Sequence, residues 1–311
     1  MDINGFSRLP LGMEDSNPGK VEYCPGGVGR NIAENLHRLG LEVRFIGAIG
    51  DDPGGELIKT FSANMGLNIE NSLFLKSDTS KGDSPITSVY LAMMDSNGEM
   101  RLALSDMEIM EKMTEEHLES KADLIKESAI VVLDTNLPEK IIQFIMDRYG
   151  DAGPRFFLDA VSAKKAPRAA SRIGLFDTLK LGCMEASALS GIEIPGKKLF
   201  IMQQEKLKKA AQNFLGKGAG RVFITLGKKG VYTATDKKAF FNEVRFLPPV
   251  NTTGAGDAFM AGIVYGTLQG WDDEAIVSFS LAMAGITVQS KHAVSTDMSL
   301  ELVMSEVNRK K

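Results

Sequence analysis

The amino-acid sequence predicts an α/β protein, with a doubly wound, mostly parallel sheet, helices on both faces and a small separate β-sheet. Between Glu115 and Asp159, amphipathic helical patterns at 115–126 and 139–148 alternate with apolar strand patterns at 129–133 and 155–159. Asp134, Asn136, Asp159 and Ser162 each fall just after a strand end. Ligands bind there in such sheets, although a strand-end cap is the plainer role for each. Asn97-Gly98, between the apolar runs 86–94 and 100–104, signals a hairpin that belongs to the small sheet.

A chain of 311 residues can bury a large core, and the pattern fits one domain over 1–311 with a small appendage. A net charge of -4 gives no electrostatic reason to expect nucleic acid. No apolar run is long enough to span a bilayer, so no membrane partner is expected. Cys24 and Cys183 imply no disulfide framework and suit a reducing, cytoplasmic setting, and the three histidines lack metal-ligand spacing.

Taken in order, the polar and turn residues from Ser16 lead into Val21-Glu22-Tyr23, which alternates as a short strand. Gly26 and Gly27 let the backbone lie against a ligand before a helix that carries Asn31, Ala33, Asn35 and Leu36 and ends at Gly40. Residues 43–50 read as an apolar strand, and Asp51 to Gly55 turn the chain into a helix from Glu56 to Asn64. A strand at 178–181 meets Gly182-Cys183-Met184-Glu185-Ala186. The lysine-rich stretch from Lys197 to Lys209 reads as a solvated helical face. A strand at 221–226 ends in the turn Gly227-Lys228-Lys229-Gly230, followed by a strand at 231–234.

The decamer from Val250 to Phe259 is the most specific stretch. Gly254-Ala255-Gly256 forms a close-approach turn into an apolar helix, whose N-terminal N–H groups would converge on an anion. Asp257, in the first turn, is either a helix cap or a base that accepts the proton of a hydroxyl beside a phosphoryl group. No Gly-x-x-x-x-Gly-Lys-Ser/Thr sequence is present, which excludes a P-loop. In the small-residue stretch from Leu281 to Val288, Ala282 and Ala284 either make room for a flat ring or allow close helix packing.

Together, Pro25 to Gly40 and Val250 to Phe259 resemble the paired signatures of the PfkB (ribokinase-like) sugar and nucleoside kinases. Asp159-Ala160-Val161-Ser162, Glu185 and Thr225 to Gly230 follow in the family's order, so the resemblance covers nearly the whole chain. It implies ATP as donor and a nucleoside 5′-hydroxyl as acceptor, with Asp257 as base and the N–H groups of Thr253, Gly254, Ala255 and Gly256 holding the phosphoryl oxygens. The alternatives are a related kinase for another sugar or nucleoside, and a non-catalytic nucleotide-binding regulatory relative, against which the intact Asp257 argues. It further implies acceptor contacts at Asp2, Gly26, Gly27 and Asn31, with Asn17, Asp106 and Asn136 as further candidates, and nucleotide contacts at Thr225, Gly227, Gly230, Ala282 and Ala284.

Mg²⁺ would be held through water by Glu185, but Gly182 stands where the family has a metal-water-binding asparagine, which predicts weakened metal use. A potassium ion would lie near Asn251. A β-sheet lid from about 4–25 and 84–106 would close over the acceptor, and its open edge suits pairing with a second copy. Met1 to Phe6 stand where the family's apolar opening strand ends, so that strand is expected to be absent.

Overall fold

The computed structural model describes residues 1–77, 85–96, 100–151, 153–195, 200–244 and 249–309. The chain forms two compact units, Met1–His37 with Glu42–Met113, and Arg38–Leu41 with Thr114–Lys311. Among the described residues, no helix is long and apolar enough to cross a membrane.

The first unit contains β1 (Asp2–Ser7), β2 (Gly19–Cys24), α1 (Val28–Arg38), β3 (Ala48–Gly50), α2 (Pro53–Met65), β4 (Leu73–Leu75), β5 (Val89–Met94) and β6 (Met100–Asp106). Four strands form a sheet in the order β2-β1-β5-β6, with β1 antiparallel to β2 and parallel to β5, and β5 antiparallel to β6. The opening residues form β1, which lies in the small sheet between the two pieces that the sequence assigns there. Asn97 to Glu99 of the expected hairpin turn, and Ser84 at the expected lid boundary, lie outside the described residues.

Register divides this sheet into two chemically different faces, because side chains alternate along a strand and paired residues share a side. Asp2 pairs with Cys24 and Tyr90, and Tyr90 pairs with Ser105. On the opposite face, Ile3 pairs with Tyr23 and Leu91, and Leu91 pairs with Leu104. Val21, Gly5, Met93 and Leu102 form the next row of that apolar face.

Ala33, Ile49, Ile58, Leu67 and Ile69 form a core cluster, with Val43, Phe45 and Met65 packed against it. The strand expected over 43–50 contracts to β3. The Gly47 N–H donates to Ser72 Oγ at 3.1 Å, a side-chain partner where a sheet ladder would need a backbone one. Helix α2 starts at the Asp52 cap, whose Oδ1 accepts the Gly55 N–H at 2.6 Å, and stops at Gly66 with φ 75°.

The second unit runs through α3 (Glu115–Glu119), α4 (Ala122–Glu127), β7 (Ile130–Asp134), α5 (Glu139–Tyr149), β8 (Arg155–Asp159), β9 (Thr178–Gly182), α6 (Cys183–Ser190) and α7 (Phe200–Gly216). It continues through β10 (Arg221–Thr225), β11 (Gly230–Thr235), β12 (Ala239–Glu243), α8 (Ala255–Leu268), α9 (Asp273–Val288) and α10 (Leu300–Arg309). The single helix expected over 115–126 is broken. Ser120 Oγ donates to the His117 carbonyl at 2.6 Å, a local bond that competes with helix continuation.

The main sheet has the order β12-β11-β10-β9-β8-β7, parallel from β10 to β7 and antiparallel across β10-β11-β12. Strands β8, β9 and β10 are almost wholly buried, as interior strands of a parallel sheet are. Helix α8 is buried from Asp257 to Thr267, and packs closely on α9 where Gly262 meets Ser280.

Candidate active site

In the first unit the sequence-predicted residues Asp2, Gly26, Gly27 and Asn31 belong to one framework. Asp2 is buried, on the polar face of the four-stranded sheet, and a Cβ at Gly26 would overlap its carboxylate. Gly27 has φ 99°, a conformation that side chains resist, and its carbonyl accepts the Asn31 N–H at 2.8 Å to open α1. Burial pushes the Asp2 carboxyl above its ordinary range, against the pull of Arg30.

Arg30 holds this framework in place, and sequence reasoning missed it. Its Nε donates to the Gly26 carbonyl at 3.0 Å and its Nη2 to the Pro25 carbonyl at 3.1 Å, fixing the backbone of the glycine pair. It also donates to Asn31 Oδ1, and it pairs with the buried Glu34 at 2.6 Å. The available signal was an arginine and a glutamate four residues apart in the helix that follows the glycine pair.

Asn17 and Asp106 are used elsewhere. The Asn17 amide accepts the Gly12 N–H at 2.8 Å and donates to the Gly12 and Asp15 carbonyls at 2.9 and 3.1 Å, closing an exposed loop. Asp106 is exposed, accepts the Glu108 N–H at 3.1 Å and pairs with Val89, so it lies on the sheet face opposite Asp2. Ser105 shares the Asp2 face instead.

In the second unit, the turn before α8 has the expected form. Gly254 has φ 80°, and a Cβ there would overlap the Ala293 carbonyl, so glycine is required on two counts. The chain then enters α8 with Ala255, Gly256 and the buried Asp257 in its first turn. Thr253 departs from the expected cradle. Its N–H donates to Asn251 Oδ1 at 2.9 Å. Asn251 Nδ2 in turn donates to the Lys291 carbonyl at 3.1 Å.

Lys180 is the second residue that the sequence did not reveal. It lies on the interior strand β9, aligned between Asp159 of β8 and Phe223 of β10, and the Phe223 ring packs edge-on against Phe259 of α8. Lys180 Nζ donates to Asp159 Oδ2 at 2.8 Å, and a Cβ at Gly256 would lie 2.8 Å from that same ammonium. Burial opposes its charge, but the carboxylates of Asp159, Asp257 and Glu185 push its pKa above the ordinary lysine value. Asp159 Oδ1 accepts the Val161 N–H at 3.0 Å, and Val161 takes a φ of 54° that a β-branched residue adopts only under constraint.

Glu185 sits in the first turn of α6, and a Cβ at Gly182 would overlap its Oε2. Glycine therefore does more here than remove a hydrogen-bonding side chain, because it gives the Glu185 carboxylate its resting place. Among the described residues, no cluster of three or more His, Cys, Asp or Glu could cage a metal. A single half-buried carboxylate fits Mg²⁺ that keeps its own waters and phosphate ligands.

Thr225 Oγ1 donates to the Leu181 carbonyl at 3.3 Å at the end of β10, and the turn beyond it has an exposed Gly227 at φ 56° and a buried Gly230 at φ 128°. Lys229 of that turn donates to Gln203 Oε1 of α7 at 3.1 Å. Ala282 and Ala284 of α9 are buried at 1% and 6% exposure. Asn136 is buried after β7, where its Oδ1 accepts from Lys165 at 2.6 Å and its N–H donates to Asp134 Oδ1 at 2.7 Å.

A family model described as pfkB family carbohydrate kinase matches residues 1–299. The chain is 32% identical to a pseudouridine kinase of Escherichia coli over 99% of its own length and 93% of that protein's. Among solved structures, a carbohydrate kinase from Agrobacterium tumefaciens matches with TM-score 0.78 and 26% identity, covering 99% of this chain and 94% of that one. Ribokinase from Arabidopsis thaliana, solved with ribose and ATP, matches with TM-score 0.80 at 22% identity over 98% of this chain and 95% of that one, a likeness of fold.

Proposed function

The chain belongs to the pfkB family of carbohydrate kinases, and from that membership we propose that it transfers the γ-phosphoryl group of ATP to the 5′-hydroxyl of pseudouridine. The observation that carries the chemistry is Asp257, buried in the first turn of α8 directly after the left-handed Gly254 and next to the one helix N-terminus that the motif shapes for an anion. The pseudouridine assignment is supported by the 32% identity to a kinase of that name. It is supported also by Asp15 to Lys20, Ser105 to Met107 and Asp134 to Asn136, the stretches that most resemble pseudouridine kinase.

In this reading the Asp257 carboxylate accepts the hydroxyl proton as the oxygen attacks the γ-phosphorus and the bond to ADP breaks. The Gly254, Ala255 and Gly256 N–H groups hold the equatorial oxygens as charge spreads onto them. Asp2 accepts hydrogen bonds from ribose hydroxyls, and Asn31, steadied by Arg30, contacts the same sugar. Glu185 would hold Mg²⁺ through water, and the ion would supply positive charge against the phosphates. The turn at Gly227 to Gly230, with Thr225, would border the nucleotide. Potassium near Asn251 belongs to the reading only as the resemblance implies it, and no step depends on it. The four-stranded sheet is the lid, its apolar face meets a second copy, and the enzyme works in the cytoplasm, in keeping with the free Cys24 and Cys183.

The test is ADP release with pseudouridine, uridine, adenosine and ribose as acceptors. Pseudouridine carries a ring N–H that uridine lacks, and a buried acceptor left unpaired costs about 1–3 kcal/mol. The expected kcat/KM preference is therefore roughly ten- to a hundredfold. Equal values for pseudouridine and uridine, or a preference for ribose, would reassign the acceptor within the family.

A further inference from the structure

We propose that Lys180 is a positioning residue for Asp257, a fixed cation beneath the Gly254–Gly256 turn that keeps the base in its ionised form. This rests on the reading of Asp257 as the base. Three observations converge on it. First, the ammonium is buried at a defined point. It is fixed by Asp159 Oδ2 at 2.8 Å, while the other Asp159 oxygen is fixed by the Val161 N–H at 3.0 Å through a strained turn. Second, Gly256 leaves room for it, since a Cβ there would lie 2.8 Å from Nζ. Third, the charges that act most strongly on Lys180 are carboxylates, namely Asp159 from β8, Asp257 from α8 and Glu185 from α6.

The need for such a cation follows from the reaction. A carboxylate in the first turn of α8 must stay ionised beside a phosphoryl group that is itself strongly negative. The α8 N-terminus supplies only about half a positive charge. A buried ammonium supplies a whole one, and it is poorly screened there. Asp159 is then the anchor that keeps the ammonium under the turn, and Gly256 is small because the lysine occupies the space.

The experiment is the pH dependence of kcat/KM for ADP release with Mg·ATP and the best acceptor, in wild type, Lys180→Met and Gly256→Ala, with Asp257→Asn as reference. Methionine keeps the length and loses the charge. The acid limb of Lys180→Met should move to higher pH by roughly 1 to 3 units, the usual influence of an adjacent opposite charge on a carboxylate. Gly256→Ala displaces the ammonium without removing it and should move the limb the same way by less, which keeps the test available should Lys180→Met not fold. A structural ion pair alone would lower stability and leave the limb in place. An unmoved limb in the folded variants overturns the proposal. Should Asp257→Asn keep near-normal turnover, the reading of the base fails instead.

Discussion

A methyl group at Gly26 would occupy the space of the Asp2 carboxylate, and both residues belong to the framework read as the acceptor site. Gly26→Ala must therefore turn the Asp2 side chain away while Arg30 still grips the Gly26 carbonyl. A displacement on the order of 1 Å at a positioning group costs on the order of 10²-fold in rate. We expect kcat/KM for the acceptor to fall by about that factor, with the KM for ATP unchanged and the fold intact by circular dichroism. Gly26, Gly27 and Gly254 were legible in the sequence as close-approach turn positions because glycines beside a helix start have few other uses. Arg30 and Lys180 were not, since a charged residue looks solvated until register and burial place it. Thr253 was misread because only the folded loop shows Asn251 Oδ1 taking its N–H.

Asp52 shows what one side chain does for an element. It caps α2 through the Gly55 N–H at 2.6 Å and also accepts the Thr87 N–H at 2.6 Å, joining the helix start to the segment that leads into β5. Asp52→Ala should cost about 1–2 kcal/mol, near the top of the range for a cap because two bonds are lost, measured by urea unfolding. Burial raises the Asp52 carboxyl, but the hydrogen bonds from Gly55 and Thr87 outweigh it and hold the pKa below the ordinary aspartate value. The group thus contributes stability above its unfolded pKa, and that contribution is lost as pH falls through the lower folded value. Wild type and Asp52→Ala should differ at neutral pH and converge in strong acid. Most elements were readable from period and punctuation. The exceptions have local causes, Ser120 breaking a helix and Ser72 replacing a ladder partner at Gly47.

At the scale of the molecule, the four-stranded sheet of the first unit carries Tyr23, Leu104, Val21 and Leu102 on one face at 65%, 64%, 57% and 52% exposure. A contiguous apolar face of this kind is what self-association would cover. Leu104→Glu should shift sedimentation from dimer to monomer at micromolar concentration, and a wild type that sediments as a monomer would remove the second copy from our reading. The sequence showed β2, β5 and β6 but neither β1 nor the strand order, because the place of β1 between β2 and β5 depends on long-range pairing that no local pattern encodes.

Strand β1 alternates between the two faces, with Asp2 and Asn4 on the polar side and Ile3 and Gly5 on the apolar side. In our reading a single backbone thus holds both the proposed acceptor carboxylate and the middle of the proposed self-association surface. Whatever fixes β1 from one side reduces the conformational freedom left to be lost on the other. Acceptor affinity and dimer affinity then become reciprocally linked quantities, so diluting the enzyme should weaken its hold on the acceptor, and saturating acceptor should tighten the dimer by the same factor.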